Sequence, residues 1–218
     1  MKHLKERNEI IRIAREISKS GLVAGTWGNV SQRVALDSCM AITPSGMDYW
    51  ALEAEDIVIV DINGEMRDGQ YKPSIETPLH LAIYKKRPDV QAIVHVHSTF
   101  ATVFAVAGKS IPVVLEETAQ VIGHEIRVAP YAECGTNELA EMVAGTLGSE
   151  GNVVLLANHG VVATGRDLNE ALTVCRVTEK TAQIVLWASL LGKVNALEPG
   201  QVKLIHESFK GYGQKKRG

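Results

Sequence analysis

Cysteine is scarce and poorly placed for bridging: Cys39, Cys134 and Cys175 are widely separated, odd in number and contain no CxxC pair. That excludes a disulfide framework and a thiolate zinc site, and it fits a reducing cytoplasm. Charge of one sign is missing too. The 23 Lys and Arg stand against 25 Asp and Glu, a formal net charge of -2, which leaves no electrostatic footprint for nucleic acid. The basic run Lys215-Lys216-Arg217 reads as a solvated tail. No apolar stretch reaches the length of a membrane span, and the N-terminal MKHLKERNEIIRIAREI lacks the continuous apolar segment of a signal peptide. Nor does any repeat, low-complexity stretch or linker divide the chain. Aromatics make up only 5%, yet 45% of the 218 residues are hydrophobic, enough for a core that folds without disulfides or metal. The expectation is a soluble, cytoplasmic, single-domain protein over residues 1–218 that binds neither nucleic acid nor membrane.

Leu4, Ile10, Ile11, Ala14 and Ile17 recur at helical spacing before Gly21, so the chain opens with an amphipathic helix. Strands and turns follow, through Gly25 to Val34, Met40-Ala41-Ile42 and Ile57 to Ile62, the last entering an Asn63-Gly64 hairpin turn. Thr77 to Lys86 is helical, Gln91 to His97 a strand, Phe100 to Ala107 a second apolar helix, and Ile126 to Ala129 a short strand. Asn137 to Leu147 is helical and Val153 to Ala157 a buried strand. Asp167 with Glu170 then makes a capping box for a helix reaching about Leu191. This alternation predicts an α/β domain with its sheet sandwiched between helices.

Strand side chains alternate, so His95 and His97 project from one face while Val94 and Val96 pack on the other. Two imidazoles so placed converge on one ion, although buried histidines also serve as hydrogen-bonded core residues. His159 ends an apolar strand beside Gly160, where α/β enzymes place functional groups. Glu76, in Pro73-Ser74-Ile75-Glu76-Thr77-Pro78, is a candidate fourth ligand or base, or simply an acidic residue at a helix start. Three imidazoles and a carboxylate suit Zn²⁺ or a similar divalent ion such as Mn²⁺ or Co²⁺. His80, one turn after Glu76, fits either a partner of a ligand or a packed residue. His3, His124 and His206 read as surface residues, and Cys134 as a small residue before a helix rather than a nucleophile.

Three turns, Gly25-Thr26-Trp27-Gly28-Asn29, Thr43-Pro44-Ser45-Gly46 and Ser74, are rich in hydroxyl, amide and backbone N–H groups that can cradle a phosphate without lysine. None carries a Walker or dinucleotide fingerprint.

Taken in order, Gly28-Asn29-Val30-Ser31, Thr43-Pro44-Ser45-Gly46, Pro73-Ser74-Ile75-Glu76, His95-Val96-His97, Ala129-Pro130-Tyr131, Asn158-His159-Gly160 and Phe209-Lys210-Gly211-Tyr212-Gly213 resemble the class II, zinc-dependent sugar-phosphate aldolases over nearly the whole chain. The resemblance implies an α/β/α sandwich with a central, largely antiparallel sheet. It implies zinc held by Glu76, His95, His97 and His159, with Glu76 also the catalytic acid/base. Thr26, Gly28, Asn29, Ser45, Gly46 and Ser74 would line the phosphate site. It further implies a homotetramer with active sites between subunits, and a flexible C-terminal tail over about 207–218 near the site. The implied reaction is reversible cleavage of a ketose 1-phosphate to dihydroxyacetone phosphate and an aldehyde, with zinc stabilising the enediolate. Candidate substrates are L-fuculose 1-phosphate and 5-deoxy- or methylthio-pentulose 1-phosphates.

Related branches are epimerases, in which the position of Glu76 looks like aspartate, and metal-free adducin-like binding modules, which the full histidine set disfavours. The chain departs from the fuculose pattern in one place. Where a tyrosine would follow the Ile-Pro pair, Ile111-Pro112-Val113-Val114 leads instead to Leu115-Glu116-Glu117. Glu116, Glu117 or Tyr212 is then the candidate second acid. A glutamate here also resembles the methylthioribulose-1-phosphate dehydratases, which makes dehydration the alternative chemistry.

Overall fold

Short runs, most of them apolar and rich in Val and Ile, supply strands β1 (Gly28–Val34), β2 (Cys39–Ile42), β3 (Val58–Asp61), β4 (Met66–Asp68), β5 (Ala92–Val96), β6 (Val128–Ala129), β7 (Val153–Leu156) and β8 (Gly160–Gly165). In the computed structural model, which describes residues 1–34 and 38–209, they form one sheet in the order β4-β3-β2-β1-β5-β8-β7-β6. Every neighbouring pair is antiparallel except β6 and β7. The helices are α1 (Leu4–Lys19), α2 (Thr77–Lys86), α3 (Thr99–Ala107), α4 (Glu116–Val121), α5 (Asn137–Leu147), α6 (Leu168–Leu191) and α7 (Pro199–Phe209). No helix among the described residues is long and apolar enough to cross a membrane.

The sheet separates two cores. On one face Val30, Val34, Ala41, Ile59, Val94, Val96, Leu155 and Val161 pack with Ile10, Ile13 and Ile17 of α1, Ala101 and Ala105 of α3 and Leu172 and Cys175 of α6. On the other, Met40, Ile42, Val58, Val60, Ile93, Val154 and Val162 meet Leu79 and Ile83 of α2 and Leu139 and Val143 of α5. The expected α/β/α sandwich is therefore the observed fold, with Val94 and Val96 on one side and His95 on the other.

α2 and α5 begin and end where their sequence patterns place them, and α5 is capped by Thr136, whose hydroxyl accepts from Leu139 N–H. Asp167 caps α6 by accepting from Glu170 N–H at 2.8 Å, but the returning bond of the expected capping box goes one residue earlier: Glu170 accepts from Arg166 N–H at 2.6 Å. Leu4, assigned to the apolar stripe of α1, is exposed, and buried Arg7 takes a place there by donating to the carbonyls of Ala54 and Ile57. Periodicity did not reveal β8, α4 or α7, which are short or lie between weak turn signals. Residues 207–209 close α7, whereas Tyr212, the rest of the Phe209-to-Gly213 motif and Lys215-Lys216-Arg217 lie outside the described residues.

Candidate metal centre and phosphate cradle

His95 is on β5, and His97 follows the strand's last residue. His159 closes the three-residue turn between β7 and β8, whose middle residue Asn158 has a left-handed φ of 57°. Gly160 lets the three rings gather. A Cβ there would lie 2.5 Å from the Val96 carbonyl oxygen and 2.8 Å from His97 Cδ2. Ring centroids are 4.8–4.9 Å apart, and every pair of planes is steeply inclined, at 73–80°. Such a propeller turns edges, not faces, toward a common point. His95 Nδ1–H donates to the Val161 carbonyl at 2.9 Å, which leaves Nε2 to face inward.

Glu76, the residue just before α2, brings its carboxylate to this point. Oε2 lies 3.0 Å from His95 Nε2, and Oε1 lies 3.6 Å from His159 Nε2. His95 Nε2 and His97 Nε2 are only 2.9 Å apart, and buried Glu76 Oε1 has no hydrogen-bond partner. Inward-facing nitrogen atoms crowded against an orphaned carboxylate oxygen fit a divalent cation, which takes bonds of about 2.0–2.1 Å from imidazole nitrogen.

The electrostatics agree. Burial pushes the Glu76 carboxyl up, but His95, through charge and hydrogen bond, with His159 and Asn29, holds it well below the carboxylate range. Burial works against the charge of His95, and Glu76 outweighs it, raising that imidazole. Burial, then the neighbouring histidines, brings His97 down to about 3; burial, then His95, brings His159 down to about 4. Both are neutral imidazoles at physiological pH. Neutral imidazoles beside an ionised carboxylate form a donor set that suits a cation.

Two of the expected phosphate segments are laced together. Ser45 N–H donates to Lys72 O at 3.0 Å and Ser74 N–H to Thr43 O at 3.1 Å, lacing the 43–46 turn to the segment before Glu76. Thr43 is tied to β1 through both of its contacts with Val30. Ser74 Oγ accepts from Glu76 N–H at 3.2 Å and keeps its own proton to donate. Gly46 takes a left-handed φ of 70°. Beneath Thr26 and Gly28, buried Tyr49 donates to the Gly28 carbonyl, an anchor that sequence reasoning missed. Asn29, expected to line the phosphate site, also has partners on α2 and at that helix's N-terminal end. It is buried, with Nδ2 donating to Glu76 Oε2 at 2.7 Å and Oδ1 accepting from His80 Nε2 at 2.5 Å.

Other residues are placed less simply. Cys134, read as a small residue before a helix, stands with Glu76 and His159, their ligand atoms within 4.8 Å. Burial, then Glu76, pushes its thiol up to about 12, which suits no nucleophile. His124 is half-buried, as is His206, whose Nδ1 approaches the carbonyls of Ala119 and Gln120, so neither is the surface residue expected. Glu116 is exposed on α4 and Glu117 pairs with Lys180 of α6; neither joins the histidine cluster within the described chain.

A sequence profile of the class II aldolase and adducin N-terminal domain matches residues 8–186. The chain is 37% identical to a 5-deoxy-D-ribulose 1-phosphate aldolase of Bacillus thuringiensis serovar kurstaki, over 96% of this chain and 98% of that one. It is 36% identical to an L-fuculose phosphate aldolase of Escherichia coli, over 98% of each. A solved L-fuculose 1-phosphate aldolase superposes with a TM-score of 0.91 at 37% identity, over 94% of this chain and 96% of the other.

Proposed function

The chain belongs to the class II aldolase and adducin N-terminal domain family, and on that premise we propose that it cleaves a ketose 1-phosphate reversibly into dihydroxyacetone phosphate and an aldehyde. The class II aldolases of this family are metal-dependent; Zn²⁺ is the ion proposed here, held by His95, His97, His159 and Glu76. The observation that carries this reading is the unpartnered, buried Glu76 Oε1 facing three converging imidazoles.

A bound divalent cation supplies positive charge that offsets the negative charge developing on substrate oxygens as the carbon–carbon bond breaks. The phosphate end is held by Thr26, Gly28, Ser45, Gly46 and Ser74, which fixes the common three-carbon fragment and leaves the aldehyde end to be read elsewhere. In cleavage, a base removes the proton of the C4 hydroxyl, the C3–C4 electron pair stays on the three-carbon fragment, and the aldehyde departs. Glu76, having taken a proton from solvent, then gives it to C3 and regenerates the carboxylate, while the proton held by the base returns to solvent; in condensation Glu76 removes the C3 proton. Asn29, donating to Oε2, leaves Oε1 as the oxygen that would face the cation and that would carry the proton once substrate takes its place there.

The base at C4 is assigned to Glu117, Glu116 or Tyr212 of a neighbouring subunit in a homotetramer. Two features support that assembly. Glu116 and Glu117 lie apart from the cluster of their own chain, and Trp187, Leu190 and Leu191 near the end of α6, with Val103 and Val106 of α3, leave apolar side chains exposed. Light scattering should give four chains. Glu117→Gln or Glu116→Gln should lower cleavage while leaving stability within about 0.5 kcal/mol, as for an exposed pair; unchanged activity in both would remove them from the site. The decisive assay follows dihydroxyacetone phosphate released from L-fuculose 1-phosphate, 5-deoxyribulose 1-phosphate and 5-methylthioribulose 1-phosphate, with and without chelator. A product that has lost only water and kept every carbon rejects cleavage in favour of dehydration.

A further inference from the structure

Behind the metal centre, polar side chains that the proposed chemistry does not use continue from Glu76 along α2 and from Asn29 along β1. Glu76, His80 and Tyr84 follow one another at intervals of four along α2, and Asn29, Ser31 and Arg33 at intervals of two along β1. Four helical residues advance about 6 Å and two strand residues about 6.6 Å, so the two rows stay in step. They interlock rung by rung. Asn29 Nδ2 donates to Glu76 Oε2 at 2.7 Å, and Asn29 Oδ1 lies 2.5 Å from His80 Nε2. Ser31 Oγ lies 2.6 Å from His80 Nδ1 and 2.9 Å from Tyr84 Oη, and the Arg33 guanidinium sits 4.6 Å from the centre of the Tyr84 ring. Asn29, Ser31, His80 and Tyr84 are all at most 4% exposed.

With Glu76 ionised and His80 neutral, the partners fix the proton positions. A carboxylate accepts only, so Asn29 must offer it the amide nitrogen and turn its carbonyl to His80. His80 must then carry its hydrogen on Nε2, leaving Nδ1 to accept from the Ser31 hydroxyl. Ser31 oxygen in turn accepts from Tyr84. Every bond points toward Glu76, and the row ends with Oε2 occupied and Oε1 free.

We propose that His80, Ser31 and Tyr84 are positioning residues for the reaction: through Asn29 they fix the Glu76 carboxylate with Oε2 engaged, so that Oε1 is the oxygen that exchanges protons with substrate. This rests on the aldolase reading for its consequence, but its geometry stands apart from it. Without a donor at position 80, Asn29 is free to turn its amide over, and its oxygen then repels Oε2. A gap in an apolar core would not have this effect.

Two kinds of measurement test it on the full-length, metal-loaded protein. Nitrogen NMR of the parent should show His80 as a neutral imidazole with its hydrogen on Nε2, whatever the substrate proves to be; a hydrogen on Nδ1 overturns the proposal. Cleavage and the exchange of dihydroxyacetone phosphate hydrogen with deuterated solvent are then followed in variants. His80→Leu should reduce kcat and the exchange rate together by about ten- to a hundredfold with KM within twofold. His80→Gln, which keeps a donor near the position of Nε2, should recover most of that loss. Tyr84→Phe and Ser31→Ala, which hold their shape, should show smaller losses of the same kind and carry the test should His80→Leu fail to fold. Folded variants that exchange and cleave like the parent, or a glutamine no better than leucine, overturn the proposal. A parent that shows the predicted tautomer yet neither cleaves nor exchanges refutes the aldolase reading and leaves the geometry of the relay standing.

Discussion

The two faces of β1 meet different worlds. Val30 and Val34 enter a predominantly apolar layer against α1 and α6, whereas Asn29, Ser31 and Arg33, their immediate neighbours in sequence, run along α2 as a ladder of hydrogen bonds. β5 repeats the division, with Val94 and Val96 in the dry layer and His95 beside Glu76. One layer is held by area removed from water, which is indifferent to orientation. The other is held by directed bonds, which fix orientation and cost free energy wherever one is left unmade. The first supplies a rigid floor; the second aims the groups that react.

Changes on the reactive side should cost chemistry far more than stability, and the largest effect is expected at Glu76. Glu76→Gln keeps the shape and removes the proton carrier, so dihydroxyacetone phosphate release should fall by about 10²–10⁴-fold. A variant within tenfold of the parent would move the acid/base role to another residue. Gly160→Ala should come next, because its methyl group would press on the Val96 carbonyl and on His97. Overpacking of this kind costs about 1–3 kcal/mol, and here it also spreads the histidines, so the variant should lose metal on dialysis as well as stability in urea. Full metal retention would show that the turn yields without disturbing the rings.

Much of this division was legible in the sequence. The His95–His97 spacing on a strand, His159 beside Gly160 and Glu76 ahead of an apolar helix marked the candidates, because strand alternation and helix starts are local properties; the family resemblance joined them into one set. Other features arise only when distant segments meet. The step between Asn29, Ser31 and Arg33 is visible in the chain, as is that between Glu76, His80 and Tyr84. That the two rows face each other depends on the packing of α2 over β1, which no local pattern encodes. Cys134 reaches Glu76 for the same reason, across a loop whose Gly135 lies against the Ile75 carbonyl. Helices α4 and α7 pack on each other, so neither announces itself by a stripe directed at the main core.

The comparison sharpens when neighbouring residues on opposite faces are changed. Val30→Ala opens a gap in the apolar layer and should cost about 2 kcal/mol in urea denaturation, with kcat close to that of the parent. Ser31→Ala removes one oxygen from the polar ladder, so its stability loss should be smaller and its loss of kcat larger. Both variants falling in step, in stability and in rate, would mean that the two faces are not separate in function.

The gentlest probe is acid, because the fully buried histidines, His80 and His95, lie on the polar face. Burial above all lowers His80 from 6.5 to about 3 in the folded chain. Between those values the unfolded chain binds a proton that the folded chain refuses, so stability is greatest above about 6.5 and declines as pH falls, by about 1 kcal/mol per unit. His97 and His159 are lowered too and add to the decline, while His95 is raised and works against it. Glu76, held below its usual value, keeps its stabilising share above about 4.5 and loses it only at lower pH. The interval from pH 6.5 to 5 therefore isolates the histidines, and replacing one of them isolates its share. Urea midpoints for the parent and His80→Leu, taken in chelator at fixed protein concentration, should converge as pH falls through that interval, because leucine has no proton to refuse. Parallel lines would mean that His80 does not stay neutral in the folded chain, and the chain of donors leading to Glu76 would lose the member that sets its direction.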